Sequence, residues 1–139
     1  MRKLPPVEEA KALMTEAREW SVWRWLTEKR RVRAAADRAV DALGEEERKV
    51  KAGWSEELQK AYSNGRGRKI DVEIKAAVQG VKEADEIAEA ARLDAEKTFD
   101  EAERFMSPGM ARQGAQKAIE SWELREKAIR KAEAAGRKK

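Results

Sequence analysis

The sequence predicts an all-α fold, an antiparallel four-helix bundle with long, Ala-rich helices packed like a coiled coil. Three observations predict it. Ala, Glu, Lys, Arg and Leu make up about 60% of the 139 residues, above the ~50% that marks coiled coils and long helices. The 8 Gly and 3 Pro gather at a few places and leave long stretches free of both. Over residues 70–105 and 111–132, small apolar residues recur at alternating steps of four and three.

Pro5-Pro6 opens the first helix, because Pro suits the first helical position and Glu8 and Glu9 complement the helix dipole. The spacing predicts a helix from Val7 to Gly44. Gly44 reads as its stop, and Glu45-Glu46-Glu47 as the acidic first turn of the next helix. That second helix runs over 45–63, with Gly53 and Ser55 marking a possible internal break. A competing reading is two very long helices, 7–63 and 70–106, followed by a third. Ala36, Val40, Leu43, Val50, Trp54 and Ala61 hold one heptad phase through Gly44 and support it.

Residues 63–68, Ser-Asn-Gly-Arg-Gly-Arg, form the clearest loop. A helix over 70–106 follows. Its seam is Ile70, Ile74, Ala77, Val81, Ala84, Ala88, Ala91, Ala95, Thr98, Ala102 and Phe105. Ser107-Pro108-Gly109 predicts an N-cap with Pro at the first position. The last helix reaches Ala135, with Gly136 as its stop, and carries a seam of Ala111, Ala115, Ala118, Trp122, Arg125, Ile129 and Ala132. A hairpin at 107–109 sets Trp122 level with Leu93 and Ile129 level with Ile87. Residues 1–136 read as one domain and 137–139 as a frayed basic tail. Seven i,i+4 acid–base pairs support the helices: 45–49, 47–51, 56–60, 71–75, 100–104, 123–127 and 126–130.

Composition narrows the chemistry. There is no Cys and no His, which removes disulfides, thiolate sites, imidazole ligands and Ser-His-Asp triads. Asp85, Glu89 and Glu96 share one helix face, but no nucleophile or imidazole accompanies them. No catalytic residue, cofactor or metal is expected, and nothing points to a small-molecule substrate. No apolar run approaches the ~18 residues of a membrane span, and no signal-peptide core follows the basic N-terminus. A cytoplasmic protein is expected.

Three of the five Trp fall within residues 20–26, Trp-Ser-Val-Trp-Arg-Trp-Leu. On a helix, Trp20 and Trp23 share one face while Val22, Trp25 and Leu26 share another, so no single flank buries them all. At least one of Trp20, Trp23 and Trp25 is expected to be exposed. A turn at Gly44 would bring Tyr62 level with Leu26 and into a cluster with Trp23 or Trp25. Leu, Ile, Val and Phe together are only about 16% of the chain, under the ~20% that ordinarily supports a core. Thin Ala seams bury little apolar area, so a second chain or a partner is expected to supply the rest. The function this predicts is a non-catalytic helical interaction or scaffold module that self-associates. Trp20, Trp23, Trp25 and Leu26 are its contact residues, with Arg24 and Arg31 at the rim.

A different reading is polyanion binding, to nucleic acid or an anionic membrane face. It would use Lys29, Arg30, Arg31 and Arg33 on the helix, and Arg66, Arg68 and Lys69 in the Gly/Arg loop. Residues 18–38 carry net +4, whereas residues 83–104 carry net −6. If those segments face each other, the basic run is spent inside the molecule.

Overall fold

The structure, a computed structural model, describes residues 3–64 and 72–137. These residues form five helices and no strand: α1 (Pro5–Ala17), α2 (Val22–Ala52), α3 (Glu56–Asn64), α4 (Val72–Phe105) and α5 (Pro108–Arg137). The expected helical bundle is present, with α2, α4 and α5 as its long members. The count is five rather than four because two breaks, at residues 18–21 and around Gly53 and Ser55, replace the single one expected at Gly44.

The chain does not turn at Gly44. Helix α2 passes straight through it, and the first interruption lies at residues 18–21. There Trp20 must enter the core, where it is 2% exposed. Ser21 then adopts extended backbone and its hydroxyl accepts the Arg24 N–H at 3.3 Å, which caps α2. The single helix over 7–63 fails for the same reason, and fails again at Gly53, where α2 ends in a turn before Ser55 caps α3. Gly44 is left inside a helix, where a Cβ would meet nothing within 4 Å. Gly44→Ala is therefore expected to raise stability by up to ~1 kcal/mol, by lowering the backbone entropy lost on folding. Urea unfolding of dilute protein checks this.

Helix α4 ends as Met106 takes a left-handed conformation, φ 51°, and the Ser107 N–H reaches back to the Ala102 carbonyl at 3.0 Å. Left-handed reversals of this kind usually employ Gly. The predicted Ser107 cap holds, accepting the Met110 N–H at 3.2 Å, and Pro108 opens α5. At the far end α5 does not stop at Gly136 but continues through Arg137. Gly136 is instead a seat for Trp54, whose ring carbon would lie 2.9 Å from an added Cβ.

Helices α4 and α5 pair antiparallel in the expected register. Lys117 lies 3.1 Å from both Asp94 and Thr98, and the face of Gly114 rests on the Phe99 ring. Of the α4 seam, Val81, Ala88, Ala95, Thr98 and Ala102 are buried; Ile70 lies outside the described residues. Phe105, the last residue of α4, leaves the seam and is 63% exposed. Leu93 and Ile87 are level with Trp122 and Ile129, yet both point outward. The α5 seam is buried throughout except for half-buried Arg125.

Two apolar clusters result. The larger joins α1, α2, α4 and α5 around Met14, Trp20, Leu43, Trp122 and Ile129. The smaller joins Trp54 and α3 to α4 and α5 through Leu58, Ala61, Val78, Val81 and Ala132. Trp54 donates its indole N–H to the Ala132 carbonyl at 2.8 Å and packs edge-on against Tyr62, 5.6 Å between ring centres. The expected pairing of Tyr62 with Trp23 or Trp25 depended on a turn at Gly44 and is not formed. Of the i,i+4 ion pairs, 47–51 and 56–60 close. Glu126 turns inward to Lys11 of α1 rather than to Arg130, and the pair at 71–75 includes a residue outside the described range.

Candidate interaction site

The residues predicted to make contact with a partner are dispersed. Trp20 is core. Trp25 is half-buried, edge-on to Trp20 at 5.9 Å and tilted against Phe99 at 5.6 Å. Leu26 is half-buried. Trp23 is 79% exposed and fulfils the expectation that one Trp of the segment remains outside. Arg24 stacks over the Trp20 ring at 4.8 Å and binds Glu16 at 2.8 Å, so it serves the turn between α1 and α2. Arg31 is exposed and held by Glu28 at 2.9 Å.

Between α2 and α4 lies a cleft of about 360 Å³. On the α2 side Val22, Trp25, Leu26, Val32, Ala36 and Val40 line it; Phe99 and Met106 line the α4 side, and Ala111, Ala118 and Trp122 of α5 lie beneath. Helix α5 holds both walls while the walls themselves scarcely touch, because the Ala seams bring α4 down onto α5 and leave α2 to pack on α1 and α5. The residues that sequence reasoning missed here are Val22, Phe99 and Met106. Phe99 could be found only from tertiary placement, since it lies one residue off the α4 seam.

The lips of the cleft are charged. Lys29 at 3.0 Å and Arg33 both bind Glu103 of α4. The Lys29 hydrogen bond and the Arg33 charge hold the Glu103 carboxyl below the usual range. Half of the basic run considered for polyanion binding is thus spent within the chain, on the acidic half of α4. Arg30 is exposed and has no partner among the described residues. Arg66, Arg68 and Lys69 lie outside the described residues. Asp37 on α2 and Asp100 on α4 line the cleft and are likewise without a partner among the described residues.

The acidic face noted in the sequence does not converge. Glu89 and Glu96 flank Arg92, each 2.5 Å from it, and the Arg92 hydrogen bond lowers the Glu89 carboxyl. Asp85 faces the other way, to Lys51 and Tyr62. No helix among the described residues is long and apolar enough to cross a membrane. Comparison with protein-family models, curated proteins and solved structures finds no match for this chain.

Proposed function

We propose that this protein is a non-catalytic helical interaction module that self-associates, with α2 and the cleft beside it as the contact surface. The observation that carries the reading is Trp23: an indole 79% exposed on the helix that forms one wall of an apolar cleft. A Trp ring offers 150–250 Å² of apolar area, and leaving it in water forgoes the largest single burial a side chain can contribute. Aromatic anchors of this kind dominate protein contacts. The occupant is a second copy of the chain. The thin Ala seams leave apolar surface at the α4–α5 turn, Phe105 and Met106, as well as at Trp23.

Sedimentation of the purified protein at low and high salt tests this. A dimer that survives high salt is expected, since burial of indole is insensitive to screening. Trp23→Ala is expected to shift it to monomer while leaving the fold intact, because the side chain touches little within its own chain. A compact monomer at every concentration would overturn the reading. Polyanion binding through the basic run would instead weaken steeply with salt, as counterion release drives it.

A further inference from the structure

Trp23, Arg30, Asp37 and Gly44 follow one another at intervals of seven along the unbroken helix α2. On a helix such positions form one stripe, drifting only ~20° per heptad. The stripe meets the cleft at one edge only: Asp37 lines the cleft, as do Leu26 and Arg33 beside the stripe, while Trp23, Arg30 and Gly44 lie outside the lining. Each of its members is unexplained by the single chain. Trp23 stands in water. Arg30 and Asp37 carry opposite charges and have no partner among the described residues. They cannot reach each other, being two turns or ~10 Å apart along the axis. Gly44 sits in mid-helix with open space above it and no turn to make.

We infer that α2 pairs antiparallel with α2 of a second copy, seating Trp23 on Gly44 and setting Arg30 against Asp37. This rests on the self-association proposed above and adds its register. A two-fold axis passing between residues 33 and 34 matches position 23 with 44 and position 30 with 37, each twice. The contact is therefore isologous: the same stripe serves both copies. The charges choose this direction. A parallel pairing in register would set Arg30 on Arg30 and Asp37 on Asp37, and like charges across an interface are strongly disfavoured. Gly44 then has a role. Without a Cβ, the helix backbone there admits the close approach of a flat ring.

Charge exchange within one chain tests the register by sedimentation equilibrium. Arg30→Asp alone and Asp37→Arg alone each create two like-charge contacts and are expected to weaken the dimer roughly tenfold or more. The double variant Arg30→Asp/Asp37→Arg restores opposite charges across the axis and is expected to recover dimerisation. Gly44→Leu fills the seat and is expected to abolish the dimer while helix content, read by circular dichroism, is retained. A dimer indifferent to both single reversals would overturn the register and leave self-association standing. A double variant no tighter than the singles would overturn it as well. A wild-type chain that stays monomeric at every concentration would overturn both the register and the proposed function.

Discussion

Trp54→Ala is expected to lower folding stability by about 3–5 kcal/mol, the range for removing a large buried aromatic. The indole is 5% exposed and joins the end of α2 to α3 and α5. It donates to the Ala132 carbonyl of α5 and rests against Gly136, so it clamps the end of α2 onto the last turns of α5. Its edge contact with Tyr62 and its place beside Leu58 and Ala61 hold α3 in turn. The short helix α3 has nine residues and could not persist alone, because isolated helices under ~12–15 residues are marginal in water. Urea unfolding at micromolar concentration measures the loss. Trp54→Phe should retain most of the apolar burial and lose much less, since Ala132 lies in a helix where its carbonyl has other donors. A loss under ~1 kcal/mol for Trp54→Ala would show that α3 is anchored by something other than this ring.

How much of this could be read in the sequence depends on which link of the chain set each feature. Local periodicity carried the α5 seam and most of the α4 seam, because a stripe of Ala at heptad spacing has one way to lie against a neighbour. It failed at Phe105, where the left-handed Met106 ends the helix without the Gly that would have announced it. The same reliance on Gly misplaced the first break. Gly44 lies inside α2, while the true break at residues 18–21 is marked only by Ser21, with Arg rather than Glu at the third helical position. There is thus no reciprocal capping box to signal it. The decision was made by burial: Trp20 reaches the core only if the chain turns after it. The charge pattern was more informative. The net −6 of residues 83–104 and the basic run near residue 30 do meet, through Glu103. The cleft between α2 and α4 had no sequence signature, because it exists only where two helices share a third and do not close on each other.

Lys51→Met is expected to cost about 2–3 kcal/mol at neutral pH, near the lower end for breaking a buried pair, because about a fifth of the side chain remains exposed. All three ammonium protons are used: Lys51 donates to Glu47 at 2.7 Å, to the Tyr62 hydroxyl at 2.9 Å and to Asp85 at 3.1 Å. Tyr62 in turn donates to Asp85 at 2.6 Å, and Arg125 of α5 also binds Glu47. Helices α2, α3 and α4 therefore meet at Lys51, and α5 joins them through Arg125 and Glu47. Burial opposes the charge on Lys51, but the hydrogen bonds to Glu47, Tyr62 and Asp85 outweigh it and raise its pKa above the ordinary value. Burial likewise opposes ionised Glu47, and is outweighed by the Lys51 hydrogen bond and the Arg125 charge, so its carboxyl lies below the ordinary value. The pH dependence follows from those two directions. The Glu47 contribution is fully present above its unfolded pKa of ~4.3 and is lost as pH falls through the lower folded value. The Lys51 contribution is fully present below its unfolded pKa of ~10.4 and is lost as pH rises through the higher folded value. The stability gap between wild type and Lys51→Met should therefore be level from about pH 5 to 9 and narrow on the acid side below ~4. Met keeps an apolar stem of similar length and removes the ammonium, which lies 4.1 Å from the Tyr62 ring centre, so the comparison isolates the charge. A gap that stays the same from pH 7 down to pH 3 would mean that Lys51 acts by packing on the ring and not by holding Glu47 and Asp85 together.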